Sequence, residues 1–316
     1  NIGNNDVVFF GDCEAYEVFS PVALYESYGI TSYVRGSSQQ LIWQSYYLME
    51  DTLRWEKPKV MVLSICDVMH ADPDSTGNKT EREAYNRMTL DDMRWSATKV
   101  NAIQASMTKE EREKDAMWTY IFPILRYHER WNEINSDDFK YFFTKDKVTS
   151  NGYMINVGVR PVEGEYTDRP LVSYQFSDMV MEYLNKAADL CEANGVKLVI
   201  VKSPALYPIW HEEYEEQVVA FAEERGLDYY NLIELEAEIG LDWTTDTFDK
   251  GLHLNVDGGE KVTEYFGGIL AAEYGLEDHR DDPAIAADWA VKSAEYALKK
   301  AEKQAEWEEI KDKENK

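Results

Sequence analysis

The sequence predicts a three-layer α/β sandwich around a mostly parallel, doubly wound sheet. Three observations carry that expectation. Short, predominantly apolar runs at residues 6–10, 59–65 and 197–201 have the pattern of strands buried on both faces of a parallel sheet. Between and after them lie segments with apolar residues at helical spacing, two of them closed by glycine at Gly195 and Gly226. With 316 residues and 44% hydrophobic content the chain can bury a sizeable core, yet no apolar run approaches the ~20 residues needed to cross a bilayer.

Each element follows in order. After the strand at 6–10, residues 21–28 read as a short helix and 30–34 as a short strand ending at Gly36. Residues 39–55 place Leu41, Ile42, Tyr46, Leu48, Met49 and Leu53 at helical spacing, and Lys57-Pro58 ends that helix before the strand at 59–65. Residues 70–170 break the alternation: a loop rich in Asp, Pro, Ser and Gly leads into polar helices at 81–107 and 109–131, then weak strands and turns at 137–170. This stretch is expected to form a helical cap inserted into the α/β domain. The pattern resumes with a helix at 178–194, the strand at 197–201, a helix at 212–225, a short strand at 227–231 and a helix at 258–274. The domain expected is thus residues 1–280, followed by a charged C-terminal helix in 281–316, rich in Ala, Glu and Lys.

Sixty acidic residues against 33 basic ones give a net charge of −27, which disfavours nucleic acid and anionic membrane surfaces as partners. Three cysteines make no disulfide framework, and the five dispersed histidines offer no metal-ligand spacing, so no metal and no cofactor are expected. The chain begins at Asn1 rather than Met, only a few residues before the first strand, and a leader or membrane anchor upstream is anticipated.

The chemistry concentrates at the expected carboxyl ends of the strands, where open parallel sheets bind ligands. The first strand runs into Gly11-Asp12-Cys13-Glu14, which places a cysteine where a nucleophile would stand. Near the other end, Asp246, Asp249 and His253 supply a base and an orienting acid, with either aspartate able to serve. Nucleophile, imidazole and carboxylate are the parts of an acyl-transfer triad. Cys13 and Cys66 each follow a strand, so a redox pair or a disulfide between them is the competing reading. Glu14, adjacent to Cys13, would raise the thiol pKa if close. Lys202 and Ser203, after the strand at 197–201, are candidates to bind substrate, with a salt bridge from Lys202 to a nearby acid as the alternative. Arg126 and His128, late in the cap, are further candidates for an anionic or sugar substrate.

Phe10-Gly11-Asp12-Cys13 resembles the G-D-S block of the SGNH/GDSL hydrolases, with Cys13 at the serine position, and the Asp249–His253 region resembles their terminal D-x-x-H block. That resemblance implies the SGNH, flavodoxin-like form of the sandwich. It implies an oxyanion hole from the amides of Cys13 and Gly36, and it puts Ser64-Ile65-Cys66-Asp67 where the family reads G-x-N-D, so Cys66 replaces the oxyanion asparagine. Residues 32–47, 122–131 and 251–255 are similar to a mainly clostridial cell-envelope branch, related to D-alanyl-transfer and alginate O-acetyl-transfer proteins. The branch implies an extracytoplasmic, cell-surface location, a small acyl or glycan substrate, and a membrane-bound O-acyltransferase as partner. Two functions are therefore expected to compete. One is an acyl esterase or acyltransferase working through a Cys13 thioester; the other is a catalytically weak scaffold or glycan-binding protein on the same fold.

Overall fold

The computed structural model describes residues 5–69, 79–122, 125, 149–164, 166–168, 171 and 173–314. Five parallel strands, β1 (Val7–Gly11), β2 (Ser32–Gly36), β3 (Val60–Ser64), β4 (Lys197–Lys202) and β5 (Asp228–Asn231), pair in the order β2-β1-β3-β4-β5. All carboxyl ends therefore lie along one edge, with Gly11 opposite Gly36 in the β1/β2 register. The order reverses at β1/β3, and the crevice of a doubly wound sheet opens at such a switch point.

Strand alternation splits the core into two layers. Val8, Phe10, Met61, Leu63, Leu198 and Ile200 face α3 (Ile42–Thr52), α8 (Asp178–Asn194) and α9 (Glu212–Arg225). Val7, Phe9, Val60, Val62, Val199 and Val201 face α2 (Pro21–Tyr28) and α11 (Val256–Glu273). Both sets are at most 5% exposed, and each such side chain contributes ~1.5–3 kcal/mol on burial. Helix ends obey local chemistry. Ser20, Ser177 and Asn255 accept N-terminal amides, while Gly29, Gly195 and Gly226 close their helices in the left-handed conformation.

Within the inserted stretch, α4 (Lys79–Leu90), α5 (Ala97–Ser106), α6 (Lys109–Glu113) and α7 (Met117–Ile121) are described. Leu90, Met93, Ala102, Ile103 and Tyr120 join the same core as α3, and the buried amide of Gln44 donates to Asn86 and Ser106. These helices are thus fastened to the flank of the sheet. The described residues of 137–170 contain no strand; a 3-10 turn, Ser150–Gly152, leads into an extended strap that crosses the β2 edge. Gly152 is required there, because a Cβ would stand 2.1 Å from the carbonyl oxygen of Val34, and its φ is +90°.

Among the described residues there are also two short helices, α1 (Cys13–Tyr16) and α10 (Glu236–Ile239), and α12 (Pro283–Glu314), 32 residues long. A third cluster fixes α12: Trp289 stacks on Tyr25 at 4.6 Å, and Tyr296 lies against Tyr153 of the strap. No described helix is long and apolar enough to cross a membrane. Trp289→Ala is expected to cost ~3–5 kcal/mol, seen as a lower denaturant midpoint and as earlier proteolytic release of α12. Unchanged protection of α12 would show that its charged contacts suffice.

Candidate active site

At the end of β1 the chain must turn sharply, and Gly11 makes this possible. Its φ is +147°, and a Cβ there would lie 2.9 Å from the Cβ of Ser64. Gly36 closes in from β2, where a Cβ would meet the Gly11 carbonyl at 3.0 Å. The turn delivers Asp12, whose carboxylate accepts the amide of Glu14 at 3.0 Å, and then Cys13 at the first position of α1. Cys13 is half-buried, and Cys13, Cys66 and Cys191 are all free thiols.

The loop before α11 is held by two side chains. Thr247 accepts the amide of Gly251 at 2.7 Å and donates to the carbonyl of His253 at 2.8 Å. Asn255 caps α11 and donates to the carbonyls of Thr245 and Gly158. Within this frame Asp249 grips His253 twice: Oδ1 accepts its amide at 2.8 Å, and Oδ2 lies 2.5 Å from Nδ1. Phe248 stacks on the imidazole at 5.8 Å. Asp246 belongs to another network, binding Lys261 at 2.6 Å and the amide of Asp242 at 2.8 Å. Of the two aspartates, Asp249 is the one on the imidazole.

Lys202 is fully buried, and its ammonium bonds Glu14 at 2.7 and 2.8 Å and the Ser203 carbonyl at 2.8 Å. Ser203 donates to the carbonyl of Glu14 at 2.9 Å. Of the two readings open for Lys202, the salt bridge to a nearby acid is the one present. Both groups tie β4 to the β1 turn, and neither presents its polar atoms to solvent. Cys66, itself buried, starts a 3-10 turn, Cys66–Met69, just after β3 and within electrostatic reach of Glu14 and Asp12. Arg126 and His128 lie outside the described residues.

The electrostatics are dominated by acids. Burial, and then Glu14, push Asp12 up to about 7. Burial also pushes Glu17 up to about 7, against the pull of His253. Asp67 is held well above the carboxylate range by burial and Asp12. The Cys13 thiol is pushed far up by burial and by Asp12, Glu14 and Glu17; Cys66 is raised by burial, Glu14 and Asp12. For His253 burial alone would lower the pKa, but the Asp249 bond and Glu17 prevail and raise it above 6.5. Among the described residues no hydrogen bond joins the Cys13 thiol to His253, and no group of three or more His, Cys, Asp or Glu side chains is arranged to hold a metal ion.

Sequence reasoning missed Glu17. Its Oε2 lies 3.7 Å from His253 Nδ1 and its Oε1 accepts from Asn156 at 3.1 Å. The signal was its position four residues after Cys13, one helical turn away on the same face. A separate concavity of about 250 Å³ lies between β2 and the end of α3, where Arg35 pairs with Asp51 at 3.0 Å and Arg94 covers Trp55.

No family model and no curated protein matches this chain. A solved structure described as that of a candidate acylhydrolase from Bacteroides fragilis aligns over 85% of this chain and 87% of its own, at 10% identity and a TM-score of 0.36. A likeness this distant carries no argument about the reaction.

Asp12 and Glu17 hold their protons more tightly in the folded protein than in the unfolded chain. The stability they add below the ordinary carboxylate range is therefore lost as pH rises through about 7. His253, raised likewise, loses its contribution as pH rises through its folded value. The denaturant midpoint is expected to fall from acid to neutral pH, and to fall less in Asp12→Asn. An equally steep fall in that variant would remove Asp12 as a cause.

Proposed function

We propose that this chain is an acyl esterase or acyltransferase in which Cys13 is the nucleophile, His253 the base and Asp249 the group that orients the imidazole. The observation that carries the reading is the double grip of Asp249 on His253, which fixes a proton on Nδ1 and leaves Nε2 as the base. Both groups belong to the neighbourhood of the β1 turn, since Asp12 and Glu17 act electrostatically on Cys13 and on His253 alike. His253 Nε2 would take the thiol proton as sulfur attacks the acyl carbonyl. It would return that proton to the departing alcohol, leaving a Cys13 thioester. Water or an acceptor hydroxyl would then attack the thioester, regenerating the thiol. Amides at Cys13 and Gly36 would face the oxyanion, each such donor being worth roughly 3–4 kcal/mol.

The sequence resemblance to SGNH/GDSL hydrolases and their envelope branch supports an acylated cell-surface glycan or small acyl ester as substrate, in work alongside a membrane-bound O-acyltransferase. A second reading, a catalytically weak scaffold or glycan-binding protein, is favoured by one observation. The Cys13 thiol is surrounded by acids that disfavour its thiolate.

An activated acetyl ester, followed by intact mass, separates the two. Cys13 is expected to carry a transient acetyl thioester, absent in Cys13→Ala and formed ~10²–10⁴-fold more slowly in His253→Ala. Its acid limb should lie above the ordinary histidine value, because the base must be neutral and His253 is raised. Full turnover in Cys13→Ala would sink the mechanism, and no adduct in the unmodified protein would leave the scaffold reading.

A further inference from the structure

His253 Nδ1 faces two carboxylates. Asp249 Oδ2 is bonded at 2.5 Å, and Glu17 Oε2 stands behind it at 3.7 Å. The Glu17 side chain is 5% exposed against 27% for Asp249, so it acts through the less screened medium. Asn156 of the strap fixes Oε1, while Oε2 is buried without a hydrogen-bond partner. The Glu17 amide donates to the Cys13 carbonyl at 3.0 Å, closing the turn that sets the two side chains on one face. One carboxylate thus adjoins both the candidate nucleophile and the candidate base.

We propose that Glu17 is a positioning residue that couples these two groups. Its carboxylate keeps the proton on His253 and keeps Cys13 a thiol, so the resting site stays unreactive until that charge is removed. The inference rests on the acyl-transfer reading of Cys13 and His253. Removal occurs by protonation of the buried Oε2, which has no hydrogen-bond partner to hold it charged. The groups facing Glu17 are Asp12 from the β1 turn, Cys13 and Tyr16 from α1, Asp249 and His253 from the loop before α11, and Tyr153 from the strap. Burial, the largest influence, places the Glu17 proton equilibrium near neutrality, so the charge is present above about 7 and lost below it.

The sign of the effect separates this role from a structural one. A residue that merely supports the triad would slow Cys13 when replaced; Glu17→Gln is expected to speed it. The test uses the full chain, iodoacetamide alkylation of Cys13 read by peptide mass, and NMR titration of the His253 imidazole. In Glu17→Gln, Cys13 alkylation at neutral pH should rise roughly tenfold, the ratio carried by one pKa unit, and the His253 titration should move to lower pH. An unmoved His253 titration, or alkylation that is unchanged or slower, overturns the proposal. If Glu17→Gln does not fold, Asn156→Ala keeps the carboxylate but removes the bond that favours its charge. It should shift both readouts in the same direction by less, and no shift in either overturns the proposal. Failure of the acyl-transfer reading shows separately, as absence of a Cys13 thioester with an acetyl ester in both proteins.

Discussion

Carboxylates outnumber the cations that face them at the end of β1, and the rest of the site answers to that imbalance. Asp12, Glu14, Glu17 and Asp67 are all at most 5% exposed, while the cations described beside them are Lys202 and the imidazole of His253. Glu14 takes Lys202 in a bond that runs from the β1 turn to the end of β4, across the end of β3. Removing one partner of such a buried pair typically costs ~3–5 kcal/mol, because the other charge is left without compensation. The remaining acids share what is left. In a medium of low dielectric they respond by keeping protons, which is why Asp12 and Glu17 lie near neutrality and Asp67 well above the carboxylate range.

That setting constrains how a cysteine can react here. Activated cysteines ordinarily sit beside positive charge, which stabilises the thiolate before substrate arrives. Cys13 has acids on its own turn, and α1, at four residues, offers little dipole to oppose them. A preformed thiolate is therefore disfavoured, and under the proposed acyl transfer the proton would leave only as sulfur attacks the carbonyl. This is the regime of a serine nucleophile, whose proton leaves only as the bond forms. Under the proposed acyl transfer the burden falls on His253, whose proton affinity Asp249 and Glu17 raise, so that it acts as a base only once it has lost the proton those carboxylates favour.

The sheet was legible because its signals are local. Apolar runs mark β1, β3 and β4, and the glycines after α8 and α9 stop those helices where left-handed backbone is needed. The pairing of Asp249 with His253 is local as well, four residues apart, although the sequence left Asp246 open. What decides between them is Lys261, from the second turn of α11, which draws Asp246 into its own ion pair. The strap was legible only in part: Tyr153, Ile155 and Val157 alternate as in a weak strand and are the buried positions, but no partner strand is near in sequence and the segment takes its shape from the elements it crosses. Asn156 and Glu17 are 139 residues apart, and no spacing rule connects them.

The acid side of the site is consequently placed by elements that a five-stranded sheet does not require. The strap sits between β2, whose Ser32 carbonyl accepts from Asn151, and α12, whose Lys299 bonds Thr149. Its Asn156 carbonyl accepts the amide of Val256 at 2.6 Å, which links it to the start of α11 immediately after His253 and Asn255. Tyr153 and Ile155 are buried against Trp289 and Tyr296 of α12, in a layer separate from the two cores of the sheet. The sheet and its turn therefore place Cys13, the loop before α11 places His253, and Asn156 places Glu17 between them. The strap rests on α12 as well as on β2 and the start of α11, so the C-terminal helix supports the element whose Asn156 bonds Glu17.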